Sequence, residues 1–205
     1  MVIAIRRYSA ADYEALLQIQ KEAFPPPFPS ELWWTVEQVE AHATVFPAGA
    51  LLAEVNGEVA GSATSLLVRN ADRSHTWEEI SDNGLIRASH QPDGDTLYGI
   101  DLCVRPRYRG KGVAAALYEA RKQTVLQLGL TRFAAVCRIP GYHAVSTEIG
   151  PEQYVSEVKN GKRSDQVLSF MIKQGLTPTH VLNGYVEDAE SLNYGVFVEW
   201  RPPGR

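Results

Sequence analysis

The segment Val104-Arg105-Pro106-Arg107-Tyr108-Arg109-Gly110-Lys111-Gly112-Val113-Ala114 constrains this chain more than any other. An apolar run, Leu97 to Val104, leads into it, and a run with helical periodicity, Val113 to Leu128, leads out. A strand therefore enters a basic, glycine-bearing turn that opens a helix. The first N–H groups of a helix have no acceptor inside it, and the helix dipole places partial positive charge at the same point. Gly110 and Gly112 carry no Cβ, so a ligand can approach the backbone closely there. Arg105, Arg107, Arg109 and Lys111 add positive charge. The physical reading is a seat for phosphate.

Spelling separates the kinds of phosphate seat. A P-loop requires G-x-x-x-x-G-K-[ST], but here Gly110-Lys111 is followed by Gly112, and Arg105 occupies the first glycine position. A dinucleotide fingerprint requires G-x-G-x-x-G, and its looser form admits Ala115 at the third site. No βαβ half precedes the turn, however, and no acidic residue closes a strand about twenty residues on. The pattern Arg107-x-x-Gly110-x-Gly112 instead resembles the Q/R-x-x-G-x-G/A signature of the GNAT N-acetyltransferase superfamily. Leu102-Cys103-Val104 as strand end, Pro106 in the turn and Val113-Ala114 as helix start complete that context.

The resemblance extends over residues 2–200. It implies an α/β GNAT fold, a mixed central sheet of about seven strands flanked by helices, in one domain over residues 1–205. It also implies that Arg107, Arg109, Gly110, Lys111, Gly112, Val113 and Ala114 hold the pyrophosphate of acetyl-CoA. The backbone of Leu102, Cys103 and Val104 would pair with the pantetheine arm, and an N–H near Val104 would meet the thioester oxygen. A narrower likeness rests on Asp93-Gly94-Asp95-Thr96-Leu97-Tyr98-Gly99, on Arg138-Ile139-Pro140-Gly141-Tyr142-His143 and on Asp165 to Phe170. These runs are similar to GNAT domains fused ahead of nitrilase-like carbon–nitrogen hydrolases in some bacteria. We expect a stand-alone acetyltransferase domain, since the hydrolase half has no counterpart in these 205 residues.

The local patterns agree with this order. Val2–Tyr8 reads as a strand, and Ser9 with Asp12 as the capping box of a first helix that ends at the prolines after Phe24. Thr35 with Gln38 opens a second helix, closed near Phe46-Pro47. Leu51–Val55 and Glu58–Val68 flank Asn56-Gly57, a hairpin signal because both turn residues need positive φ. Residues 69–96 are polar and turn-rich, with Thr76 and Glu79 bracketing a short helix. After the helix from Val113, Arg132–Ile139 reads as a strand. Residues 143–163 read as helical in part and Asp165–Lys173 as helix. Thr179–Val186 and Tyr194–Trp200 are the last strands.

The net charge of −4 argues against nucleic acid or an anionic membrane as partner. No apolar run is long enough to span a bilayer, and the N-terminus lacks signal-peptide features. Two cysteines, Cys103 and Cys137, exclude a disulfide scaffold and favour the cytoplasm. The histidines show no ligand-like spacing, so no metal is expected.

Amine acylation needs acceptors for nitrogen-bound protons, polarisation of the thioester carbonyl and a proton for the leaving sulfur. Family members often carry a tyrosine four residues before a Gly-Leu or Gly-Phe pair; here that pair is Gly175-Leu176 and the position holds Met171. A thioether cannot donate a proton. Tyr98 and Asp101 stand on the strand leading to the thioester. A regular strand puts them on opposite faces, and a bulge would bring them together. Asp101 is either a base or the structural partner of the long loop or of Arg138. His143 is either a proton relay at the acceptor end or a solvated loop residue. Cys103 and Cys137 are acyl carriers or inert apolar fillers. Phe24, Phe28, Trp33, Trp34, Tyr142 and Tyr154 supply either an acceptor pocket or core and dimer packing. We therefore expect acetyl transfer to the amine of a small molecule or peptide, by direct attack, in a monomer or homodimer. The competing expectation is an acyl-CoA-binding regulatory module without turnover.

Overall fold

The computed structural model describes residues 1–25 and 30–204, so Phe28 lies outside the described residues. Its strands are β1 (Ile3–Arg7), β2 (Ala50–Val55), β3 (Glu58–Val68), β4 (Thr96–Val104), β5 (Arg132–Arg138), β6 (Thr177–Asn183) and β7 (Tyr194–Trp200). Its helices are α1 (Tyr13–Ala23), α2 (Val36–Val45), α3 (Trp77–Ser81), α4 (Val113–Gln127), α5 (Pro151–Lys159) and α6 (Leu168–Lys173). The strands form one seven-stranded sheet in the order β1-β2-β3-β4-β5-β7-β6. Only β4 and β5 run parallel; each other neighbouring pair is antiparallel.

Local chemistry sets the element ends. Asn56 and Gly57 take φ of 51° and 85°, the left-handed pair that the tight β2–β3 turn requires. Capping boxes at Ser9/Asp12, Thr35/Gln38 and Thr76/Glu79 start the 3-10 turn before α1, and helices α2 and α3. The helix expected from Asp165 begins at Leu168 instead, because Asp165 acts as its cap. The carboxylate accepts the N–H groups of Val167 and Leu168, both at 2.9 Å. It also accepts Gly141 N–H at 3.0 Å and the Tyr154 hydroxyl at 2.8 Å. One buried carboxylate thereby ties the turn after β5 and the start of α6 to α5.

Neighbouring residues along a strand point to opposite faces, and each face buries its own core. Leu51, Ala53 and Val104 pack against Val113 and Leu117 of α4. Leu16, Ile19, Val39, Leu52, Leu66 and Tyr98 pack with Phe133 and Phe197 in the larger core beneath α1 and α2.

Candidate active site

The sheet splits at its centre. β4 pairs with β5 from Thr96↔Arg132 to Gly99↔Ala135 and no further. Beyond that point β4 follows β3 to Val104↔Gly61, while β5 follows β7 to Arg138↔Gly195. The two strands diverge into a V, and a cleft of about 790 Å³ opens between them.

A bulge in β4 accompanies the split. Tyr98 pairs with Leu66 and Asp101 with Thr64, leaving Ile100 as the extra residue. Leu66 and Thr64 are two apart, so Tyr98 and Asp101 share a face, the outcome a regular strand would deny. A bulge frees backbone carbonyls that need donors. Trp77 Nε1–H donates to the Ile100 carbonyl at 3.0 Å. Arg121, from the α4 side, donates to the Asp101 carbonyl, to the Thr64 carbonyl at 2.8 Å and to Ser65 Oγ at 3.1 Å. The guanidinium is buried and lies 5.2 Å from the Phe133 ring centre. A Cβ on Gly99 would sit 3.1 Å from both Arg121 and Phe133, so a side chain there would press on this arrangement.

The seat expected from the sequence forms one end of the cleft. Gly110 and Gly112 have φ of 72° and 86°. A Cβ at Gly110 would meet nothing within 4 Å, and one at Gly112 only Ile3 at 3.7 Å, so the conformation rather than crowding selects glycine. The Ala116 N–H to Gly112 carbonyl bond, 2.9 Å, begins the α4 ladder. The amides of Val113, Ala114 and Ala115 therefore precede it at the cleft wall.

The basic residues divide. Arg105 is bound to Glu22 through two contacts of 2.6 and 2.8 Å and serves the fold. Arg107 pairs with Glu58 at 3.1 Å and, like Lys111, lies over the Tyr108 ring. Neither Arg107 nor Lys111 lines the cleft, whereas Arg109 does. Arg109 donates to the carbonyls of Val104 and Ala23 at 3.4 and 3.2 Å, which aims its guanidinium along the turn. An acyl-CoA fits these donors: open amides, a left-handed glycine turn and one cation beside a strand edge without a partner.

Asp101 lines the same cleft. Its carboxylate accepts the Cys103 Sγ–H at 3.2 Å. Burial raises its pKa to about 6, against the opposing pull of that thiol, of Arg121 and of Trp34. Arg138 is not its partner, because Asp188 and Glu190 hold that guanidinium at 2.6 and 2.8 Å. Burial, with Asp101 beside it, pushes the Cys103 thiol well up, and burial pushes the Cys137 thiol up too. Both thiols stay protonated near neutrality.

Tyr98 is fully buried and does not line the cleft; its hydroxyl contacts His75 and Tyr185. His143 is exposed behind two wall residues, its Nδ1 donating to the carbonyls of Pro140 at 2.8 Å and Glu190 at 3.1 Å. Phe24 and Trp34 line the cleft. Tyr142 and Tyr154 pack on one another in the core, and Trp33 lies under Lys21. Met171 is buried at the wall.

Arg121, Trp77 and Tyr185 line the cleft, and His75 lies behind it on the Tyr98 hydroxyl; the sequence reading gave none of them a role. Arg121 left one trace: it stands four residues from both Leu117 and Val125, on the buried stripe of its helix. Among the described residues no cluster of three or more His, Cys, Asp or Glu could hold a metal ion. None of their helices is long and apolar enough to cross a membrane.

Comparison with known proteins agrees with this fold. An uncharacterized N-acetyltransferase of Bacillus subtilis, YkwB, is 43% identical over 201 residues, which cover 97% of this chain and 88% of that one. A probable hydrolase of the same organism, YhcX, is 36% identical over 201 residues, 97% of this chain but 38% of the relative. Among solved structures, a GNAT-like decarboxylase, GphF, in complex with isobutyryl-CoA superposes with a TM-score of 0.79 at 20% identity, covering 97% of this chain and 98% of that one. The sequence model of the Acetyltransferase (GNAT) family matches residues 13–146. This chain belongs to the GNAT N-acetyltransferase family.

Proposed function

We propose that the chain transfers an acyl group, acetyl first, from acyl-CoA to the amine of a small molecule or peptide by direct attack on the thioester. One observation carries this reading: a single cleft joins the open amides at the start of α4 to the Asp101 carboxylate. The amides of Gly110, Gly112, Val113 and Ala114, with Arg109, would hold the pyrophosphate, and Arg107 and Lys111 would add to the local positive field. The β4 edge from Leu102 to Val104, free of β5, would pair with the pantetheine arm. Backbone N–H donors there would favour the oxygen on which negative charge grows.

Asp101 serves as the nearby proton handler. A carboxyl with pKa about 6 is mostly ionised at neutral pH yet weakly held apart from its proton. It accepts a proton from the attacking nitrogen. The protonated carboxyl then supplies the leaving sulfur, the task Met171 cannot perform.

The test is CoA release from acetyl-CoA with a panel of amines, with the amide identified by mass spectrometry. Amide formation is expected. Micromolar acetyl-CoA binding without CoA release for any amine would replace transfer by the binding-module reading, which Met171 favours. Because a neighbour in fold is a GNAT-like decarboxylase, malonyl-CoA without amine belongs in the same panel. Acetyl-CoA formed there, with no amide elsewhere, would replace transfer by decarboxylation.

A further inference from the structure

A primary amine reaching the cleft near neutral pH arrives as an ammonium ion. Its acylation balances as R–NH3+ plus R′CO–SCoA giving R′CO–NHR, CoA–SH and H+. The C–N bond forms, the C–S bond breaks, and two protons leave nitrogen. One goes to sulfur. The other must leave the site, and Asp101 cannot hold both.

A second chain of proton-bearing groups reaches the cleft. Tyr185 is one of its wall residues. Its hydroxyl lies 3.2 Å from that of Tyr98, which is fully buried. The Tyr98 hydroxyl lies 2.8 Å from His75 Nε2. His75 Nδ1 lies 2.6 Å from the Arg73 carbonyl.

The hydrogens in this chain have one consistent order. A carbonyl only accepts, so His75 Nδ1 carries hydrogen and donates to Arg73. In the neutral ring Nε2 then accepts, and Tyr98 must donate to it. Tyr98 has only that hydrogen, so Tyr185 donates to Tyr98. All donors point away from the cleft toward His75, which is only half-buried and stands at the solvent side of the chain.

We propose that Tyr185, Tyr98 and His75 form the exit path for the ammonium proton, a role that rests on the acyl-transfer reading. The ammonium N–H passes its proton to Tyr185 Oη as the Tyr185 hydrogen moves to Tyr98 Oη and the Tyr98 hydrogen to His75 Nε2. The nitrogen becomes a neutral nucleophile. The imidazolium loses its proton to water, and the hydroxyls turn back. Asp101 keeps the separate task of moving the second proton from nitrogen to sulfur. His75 suits the end of the chain, because burial lowers its pKa below the ordinary value and it stays neutral near pH 7. The groups facing it are the Arg73 carbonyl, Glu79, which favours the cation, His180, which opposes it, and the Tyr98 and Tyr185 rings.

The discriminating experiment compares acceptors of one shape and different charge. Phenethylamine is an ammonium ion at pH 7, while O-benzylhydroxylamine is nearly isosteric and neutral. Each further primary amine accepted by the wild type is paired with its alkoxyamine in the same way. Tyr98→Phe should lower kcat/KM roughly 10²-fold for the ammonium acceptor. It should leave the alkoxyamine within about twofold, and the deficit should shrink as pH rises. His75→Gln and Tyr185→Phe should repeat this pattern, which covers the case in which one variant fails to fold. Equal loss for both acceptors, or no loss for either, would overturn the exit path and leave acyl transfer standing. A wild type inert toward every amine would overturn both. Unchanged acetyl-CoA affinity by calorimetry in each variant separates lost proton transfer from lost donor binding.

Discussion

Arg121 donates to the main-chain carbonyl of Asp101 from the α4 side of the sheet, while the Asp101 carboxylate turns to the opposite face and into the cleft. The cation thus holds the backbone of the residue proposed to handle protons, without touching its side chain. The bulge that turns Asp101 into the cleft is held by that guanidinium, which bonds β3 and β4 together at the extra residue.

Arg121→Met should test that dependence. It leaves the Thr64 and Asp101 carbonyls without their buried donor, at a cost of about 3 kcal/mol for the pair. Urea unfolding should show the loss, and turnover per folded molecule should fall as well. Unchanged stability would mean that other groups hold the bulge.

Gly112→Asp should abolish acetyl-CoA binding and leave the fold intact. A Cβ there has room, with Ile3 the one neighbour at 3.7 Å, but φ is 86°. The left-handed conformation costs about 1 kcal/mol for a residue with a side chain. The added carboxylate meets the pyrophosphate seat and repels it. Calorimetry with acetyl-CoA and a thermal melt check the two halves. Retained affinity would place the phosphates elsewhere.

Asp101→Asn separates catalysis from stability. With a pKa about 6, Asp101 is ionised and able to accept a proton above that pH, so wild-type kcat should rise with pH through about 6. The variant should lose that limb and roughly 10²-fold in kcat. Stability should move the other way. The native pKa exceeds the unfolded value of 3.8, so the fold loses stability as pH rises from 3.8 through 6. That penalty amounts to about 3 kcal/mol, and the neutral amide avoids it. Asp101→Asn should therefore be more stable than wild type at pH 8 and equal to it near pH 3.

His42 gives the opposite sign. Its Nε2 donates to the Gly84 carbonyl at 2.6 Å and its Nδ1 accepts the Tyr8 hydroxyl at 3.0 Å. Burial lowers its pKa from 6.5 to about 4. The unfolded chain binds a proton that the native ring refuses, so stability falls as pH drops from 6.5 through 4. About 3 kcal/mol is at stake. His42→Gln should narrow its gap to wild type over that window in denaturant titrations. A constant gap would show a protonated ring in the fold.

Much of this protein is decided by short-range rules that a sequence displays. The β2–β3 turn follows from Asn56-Gly57, and the caps at Ser9, Thr35 and Thr76 from hydrogen bonds spanning three residues. The turn proposed as the phosphate seat is equally local, since Gly110 and Gly112 take the left-handed backbone that opens α4. Asp165 shows the limit within one element: its place before α6 reads as helix, but its carboxylate also accepts from Gly141 and Tyr154 and so becomes the cap.

The chemistry-bearing contacts are long-range. Arg121 meets Thr64 across 57 positions, and Tyr98 meets Tyr185 across 87. No periodicity encodes such pairs, because they arise where separate strands are brought together. The resemblance carried by Arg107-x-x-Gly110-x-Gly112 implied the fold, and the local glycine spacing implied the turn proposed to seat a pyrophosphate. The bulge at Ile100, the raised pKa of Asp101 and the hydroxyl chain to His75 exist only once burial and the β4–β5 split have placed those groups side by side.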